Sequence, residues 1–153
     1  MARDSCPDYS YSVDETRRRG ATDGSTAGDA DAAVDIDALR QLRGLTGETG
    51  RDLAGELVEL FGTNTAEVLA RLRELAGAPL AAAPEAERLA HALKSSSASV
   101  GATGMAELAR AAEDLVGQRR LSEVAALADR MVEALGPVLA RLREARLLVM
   151  REP

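Results

Sequence analysis

Aromatic residues are nearly absent from this chain, with one Phe, two Tyr and no Trp in 153 residues. A core without large rings must be built from Leu, Val and Ala, a palette that favours helices over strands. Cysteine is represented by Cys6 alone, so no internal disulfide can form. That cysteine and a single histidine, His91, leave no zinc constellation, because a structural site takes about four ligands. No apolar run approaches the roughly 20 residues that cross a bilayer. The opening "MARDSCPDYS" has no apolar stretch of the secretory-signal kind. Cytoplasmic residence, without membrane association, is the resulting expectation. Positive charge is also in deficit: 19 Lys and Arg face 25 Asp and Glu, a net charge of −6. This argues against a general nucleic-acid role.

What the chain does contain is aliphatic residues at helical spacing. Hydrophobic residues make up 46% of the sequence, so a folded domain is expected. Residues 1–32 are the exception, rich in Ser, Thr, Asp, Gly and Arg, and they read as a disordered tail. Within it, "TRRRG" (16–20) reads as a solvated charge run. Residues 33–150 read as one helical domain. Asp35 is suited to cap a short helix bearing Ile36, Leu39 and Leu42, with Gly44 and Gly47 breaking it. A second helix is expected from Thr49 to about Ala76, with Leu53, Leu57, Leu60, Phe61, Val68, Leu72 and Leu75 largely on one face. Gly77 and Pro79 interrupt, and Pro84 suits the first turn of a third helix that ends near Gly101. A fourth, about 104–117, turns Met105, Leu108, Ala112 and Leu115 inward. The last begins near Leu121, and Gly136-Pro137 predicts a kink or break within it. The expected fold is all-α: an antiparallel up-down four-helix bundle with a short additional N-terminal helix.

The third helix carries the stretch "HALKSSSASVGA" (91–102). At about 100° per residue, Ala86, Leu89, Leu93, Ser97 and Val100 cluster on one side. His91 lies two residues from both Leu89 and Leu93, so its ring points away from that stripe, toward water. Pro84, Glu87, Arg88, Lys94, Ser95 and Ala98 share its face. Lys94, at i+3, can share an anion with the ring, and the low relief of Ser95 and Ala98 lets another protein approach. Ser96 and Ser97 flank the core side, where small side chains let helices pack closely. A solvated imidazole keeps a nucleophilic nitrogen near neutral pH, and phosphoryl transfer asks mainly for alignment and charge stabilisation. On these residues alone, a phosphoryl-accepting histidine and an ordinary surface histidine both stand.

The stretch resembles the phosphorylation motif of histidine-containing phosphotransfer (HPt) domains, His-x-Leu-Lys-Gly/Ser followed by small residues, an aliphatic residue and Gly. His91, Leu93, Lys94, Ser96, Ser97, Val100 and Gly101 fall on matching positions, and Ser95 stands where Gly is the commonest choice. The likeness extends over roughly residues 33–145. It implies a phosphocarrier in a multistep His–Asp phosphorelay, with His91 phosphorylated at Nε2 by one receiver-domain aspartate and discharged to another. Lys94 would steady the phosphoryl oxygens. Ser95 and Ala98 would form the docking surface, with Glu87 and Arg88 at its rim, and Gly101 would belong to the close-packed part with Ser96 and Ser97. The resemblance implies no cofactor or metal on this chain, the Mg²⁺ being expected on the receiver. The implied partners are response-regulator receiver domains and a hybrid sensor kinase, with the chain acting as a monomer. No Gly-rich nucleotide loop is present, so the domain is not expected to be an enzyme with its own ATP site. "HALKSS" also lacks the Glu and Pro of a sensor-kinase dimerisation helix. The alternative is a non-catalytic helical module that docks or sequesters receiver domains.

Overall fold

A computed structural model describes residues 27–45 and 51–153. Among the described residues six α-helices follow one another: α1 (Ala27–Asp31), α2 (Ile36–Leu45), α3 (Leu53–Ala76), α4 (Ala83–Val100), α5 (Thr103–Gly117) and α6 (Val124–Arg151). Single 3₁₀ turns, Leu80–Ala82 and Leu121–Glu123, lead into α4 and α6. No strand occurs among the described residues. α3 packs on α4 and α6, and α5 packs on the same two, so the four long helices close a ring around one core. Ion pairs fix the sense of one side. Asp52–Arg146, Glu59–Arg143 and Arg73–Asp129 run in opposite order along α3 and α6, so these two are antiparallel.

Helix ends follow local chemistry. Asp35 caps α2, its Oδ1 accepting from the Asp37 amide at 2.9 Å. Asp52 caps α3 in the same manner, accepting from the Gly55 amide at 2.9 Å. Pro84 sits in the first turn of α4, where its missing N–H costs nothing. α4 ends on Gly101 at φ 82°, and the Ala102 amide reaches back to the Ser97 carbonyl at 2.8 Å. Arg43 of α2 donates to the Val149 and Glu152 carbonyls, satisfying the C-terminal end of α6.

The core is aliphatic. Val58, Leu69, Leu72, Met105, Met131 and Leu142 are fully buried, each contributing roughly 1.5–3 kcal/mol by burial. Much of the rest is alanine: Ala86 and Ala90 of α4 and Ala109 and Ala112 of α5 are fully buried. Such small side chains let helix axes approach closely.

Several sequence expectations need correction. The disordered tail was expected through residue 32; residues 1–26 lie outside the described residues, but 27–32 are ordered. Asp31, with a side chain 12% exposed, pairs with Arg130, Asp29 pairs with Arg141, and Ala32 is buried in the core. α2 runs through Gly44 to Leu45, and Gly47 lies outside the described residues. Thr49 also lies outside them; α3 begins at Leu53, because Asp52 offers the cap. Leu60 is 54% exposed, standing beside the buried stripe of α3 rather than in it. In α5, Leu115 is only half-buried, and Val116 takes the inward position. α6 continues unbroken through Gly136-Pro137. Both residues lie on its exposed side, where water can bond the carbonyl that proline leaves free, and Gly136 has no Cβ to meet the proline ring.

Two substitutions probe this packing. A Cβ at Gly101 would stand 2.3 Å from the Asp35 carbonyl oxygen, on a backbone that side chains already disfavour. Gly101→Ala is expected to cost about 2–4 kcal/mol of stability in urea unfolding. Ser97 is fully buried, and its hydroxyl finds no hydrogen-bond partner among the described residues. Removing an unsatisfied hydroxyl at nearly constant volume should help, so Ser97→Ala is expected to raise stability by about 1 kcal/mol.

Candidate functional site

His91 lies in the middle of α4, flanked on its inner side by the buried Ala90 and Leu93. Its side chain is 61% exposed. Glu87, Arg88, Ser95 and Ala98 are exposed on the same helix, and Lys94 is half-buried. Toward the C-terminal end this surface is low, a serine and an alanine. The expected close-packing trio divides. Ser97 is wholly buried, and Gly101 is buried in the left-handed turn. Ser96, in contrast, is exposed, its hydroxyl bonded to the Leu93 carbonyl at 3.1 Å, because it stands about 100° from Ser97 around the helix. Ser96 lines a shallow groove between α4 and α3 with Asn64, Thr65 and Val68.

Sequence reasoning overlooked one residue, Glu113 of α5. Its carboxylate stands 2.9 Å from His91 Nδ1 through Oε1 and accepts from Lys94 Nζ at 2.5 Å through Oε2. One residue thus bridges the two side chains that the α4 periodicity had set side by side. The turn at Gly101 and Ala102 folds α5 back along α4, and the alanine-lined packing of this pair lets Glu113 reach the ring. Glu113 emerges at the edge of the buried stripe of Ala109, Ala112 and Val116, with its own side chain 22% exposed. An acid at the margin of an apolar stripe was the available signal. Its partner, however, depends on the register of two helices.

The electrostatics give the ring a direction. Hydrogen bonds from Lys94, and then from His91, hold the Glu113 carboxyl below the usual glutamate range. It is therefore ionised at neutral pH and can only accept. The ring nitrogen facing it must carry the proton, so in the neutral imidazole the lone pair lies on Nε2. The arrangement can thus offer a nucleophilic Nε2 with an ammonium one helical turn away. Among the described residues no group of three or more His, Cys, Asp or Glu could hold a metal ion. No described helix is long and apolar enough to cross a membrane.

The lowered carboxyl sets a pH dependence. A depressed folded-state pKa contributes stability above the unfolded value, about 4.3 for glutamate, and loses it as pH falls through the folded one. The wild type is therefore expected to exceed Glu113→Gln in urea midpoint above about pH 5, with the gap closing on acidification below about pH 4.

Comparison with known proteins identifies a family for this chain. No match was found among curated proteins or among solved structures. A scan against family models matches the Hpt domain over residues 56–145, from the first turn of α3 into the last third of α6. The matched span covers more than half of the chain and holds His91, Lys94 and Glu113 together on one helix pair. With the family model matching over this span of a helical bundle, the chain belongs to the Hpt domain family, whose role is phosphotransfer in two-component phosphorelays.

Proposed function

We propose that the chain is a phosphocarrier in a multistep His–Asp phosphorelay, taking a phosphoryl group on His91 from one receiver-domain aspartate and passing it to another. The observation that carries this reading is the exposed ring whose Nδ1 faces a carboxylate, which leaves Nε2 with the lone pair. In the loading step that lone pair forms an N–P bond while the P–O bond of the aspartyl phosphate breaks. The aspartate leaves as carboxylate with the bonding electrons. The proton stays on Nδ1, held by Glu113. In the unloading step a carboxylate oxygen of the acceptor aspartate forms a P–O bond as the N–P electrons return to Nε2, and the ring departs as neutral imidazole. A protonated Nδ1 thus spares the ring from leaving as an anion.

Lys94 offsets charge on the phosphoryl oxygens in both directions. Ser95 and Ala98 give the receiver close access, and Glu87 and Arg88 supply charged contacts at the rim. The Mg²⁺ of the reaction belongs to the receiver, and the phosphate originates from a kinase. In this reading the chain is a monomer of the cytoplasm and turns over no ATP of its own.

Incubation with a phosphorylated receiver tests the proposal. The chain is expected to acquire an acid-labile, alkali-stable phosphate that His91→Gln abolishes. Labelling that survives this substitution overturns the assignment. Lys94→Ala is expected to slow transfer about tenfold with the helical circular dichroism unchanged, since the half-buried side chain lies outside the hydrophobic core.

A further inference from the structure

The phosphocarrier reading gives Glu113 the Nδ1 proton to hold, but its geometry does more than that. Its two carboxylate oxygens serve two different side chains, His91 Nδ1 and Lys94 Nζ. Before phosphorylation one ammonium balances one carboxylate. A phosphoryl group on Nε2 brings up to two negative charges and three acceptor oxygens. Lys94, a flexible stem with three N–H donors, then has two anionic claimants. Glu113 also remains a negative charge on the opposite edge of the same ring. The phosphorylated ring, still protonated at Nδ1, is a cation that Glu113 pairs with, holding the proton with which the ring leaves as neutral imidazole, while the phosphoryl group beyond it is an anion that Glu113 opposes.

We infer that the charge of Glu113 sets how readily His91 surrenders its phosphoryl group. It opposes the phosphoryl charge and retains part of Lys94, which phosphorylation draws toward the phosphoryl oxygens. This deepens the phosphocarrier reading and rests on it. Glu113 acts through the ring and the lysine, so it is a positioning residue. Its charge and its hydrogen bond are separable, because a glutamine keeps an acceptor oxygen for Nδ1–H and carries no charge. A group that must both accept and release phosphate is served by a loaded state of moderate stability, and a nearby carboxylate supplies that restraint.

The experiment uses the full chain as wild type, E113Q, K94A and the double variant. Each is phosphorylated with phosphoramidate, whose P–N bond breaks as the Nε2–P bond forms, releasing ammonia. ³¹P NMR follows the decay of the phosphohistidine. In parallel, the ratio of phosphoryl on His91 to phosphoryl on a receiver domain is read at equilibrium. E113Q is expected to lengthen the phosphohistidine half-life and to shift the ratio toward His91, each by about two- to fivefold, the worth of one partly screened charge pair. The effect should shrink in the K94A background, because part of it passes through the lysine. An unchanged half-life and ratio in E113Q overturns the inference. An effect of equal size with and without Lys94 overturns the lysine's part in it. A wild type that phosphoramidate labels, but that exchanges with no receiver, defeats the phosphocarrier reading and leaves the half-lives to decide the inference. A wild type that phosphoramidate does not label at His91 defeats both.

Discussion

The left-handed turn at Gly101 is the constraint on which the site depends. It ends α4, accepts the Asp35 amide at 2.7 Å through its own carbonyl, and starts α5 within two residues. Only a residue without a Cβ fits there, since the Asp35 carbonyl occupies the space a side chain would need. A short link of fixed geometry determines the register of the helices on either side. That register sets Glu113 level with His91 and Lys94. Adding or removing one residue between the turn and Glu113 would place the carboxylate about 100° around α5, away from the ring.

Alanine works to the same end. Where Ala86, Ala90, Ala109 and Ala112 are buried, the α4–α5 pair has no bulky side chains to hold it apart. A glutamate of ordinary length can therefore span from one helix to its neighbour. The scarcity of aromatic residues and the geometry of the site are thus one fact seen twice. Phe61 is the one aromatic among the described residues, and it lies on α3, away from this seam.

Most of the helical outline could be read from spacing and caps, because those are local properties. Asp35, Pro84 and Gly101 each shape a helix end within one turn of their own position, although the Asp35–Gly101 contact across the fold is not local. The outward direction of His91 followed from the periodicity of a single helix. What escaped was whatever depends on two segments meeting. Glu113 is unremarkable until α5 is laid against α4. The Ala27–Asp31 segment carries no apolar stripe and gains its order from Arg130 and Arg141, about a hundred residues away in sequence. Ser96 and Ser97 look alike in the sequence, yet one angular step on the helix puts one in water and the other in the core. Pro137 was a sound reason to expect an interruption, and the solvent-facing side of α6 removed the need for one.

The bridge from Glu113 to His91 and Lys94 also has a place in the order of folding. Its partners lie 22 and 19 residues apart along the chain, whereas the Glu59–Arg143 pair that ties α3 to α6 spans 84. The entropy of closing a loop grows with its length, so contacts within α4–turn–α5 are cheaper to form than those that close the ring. Short-range contacts of this kind also favour rapid folding. His91 and its carboxylate partner therefore belong to the most local hairpin of the bundle, and bringing them together does not wait for α6 to travel the length of the sequence.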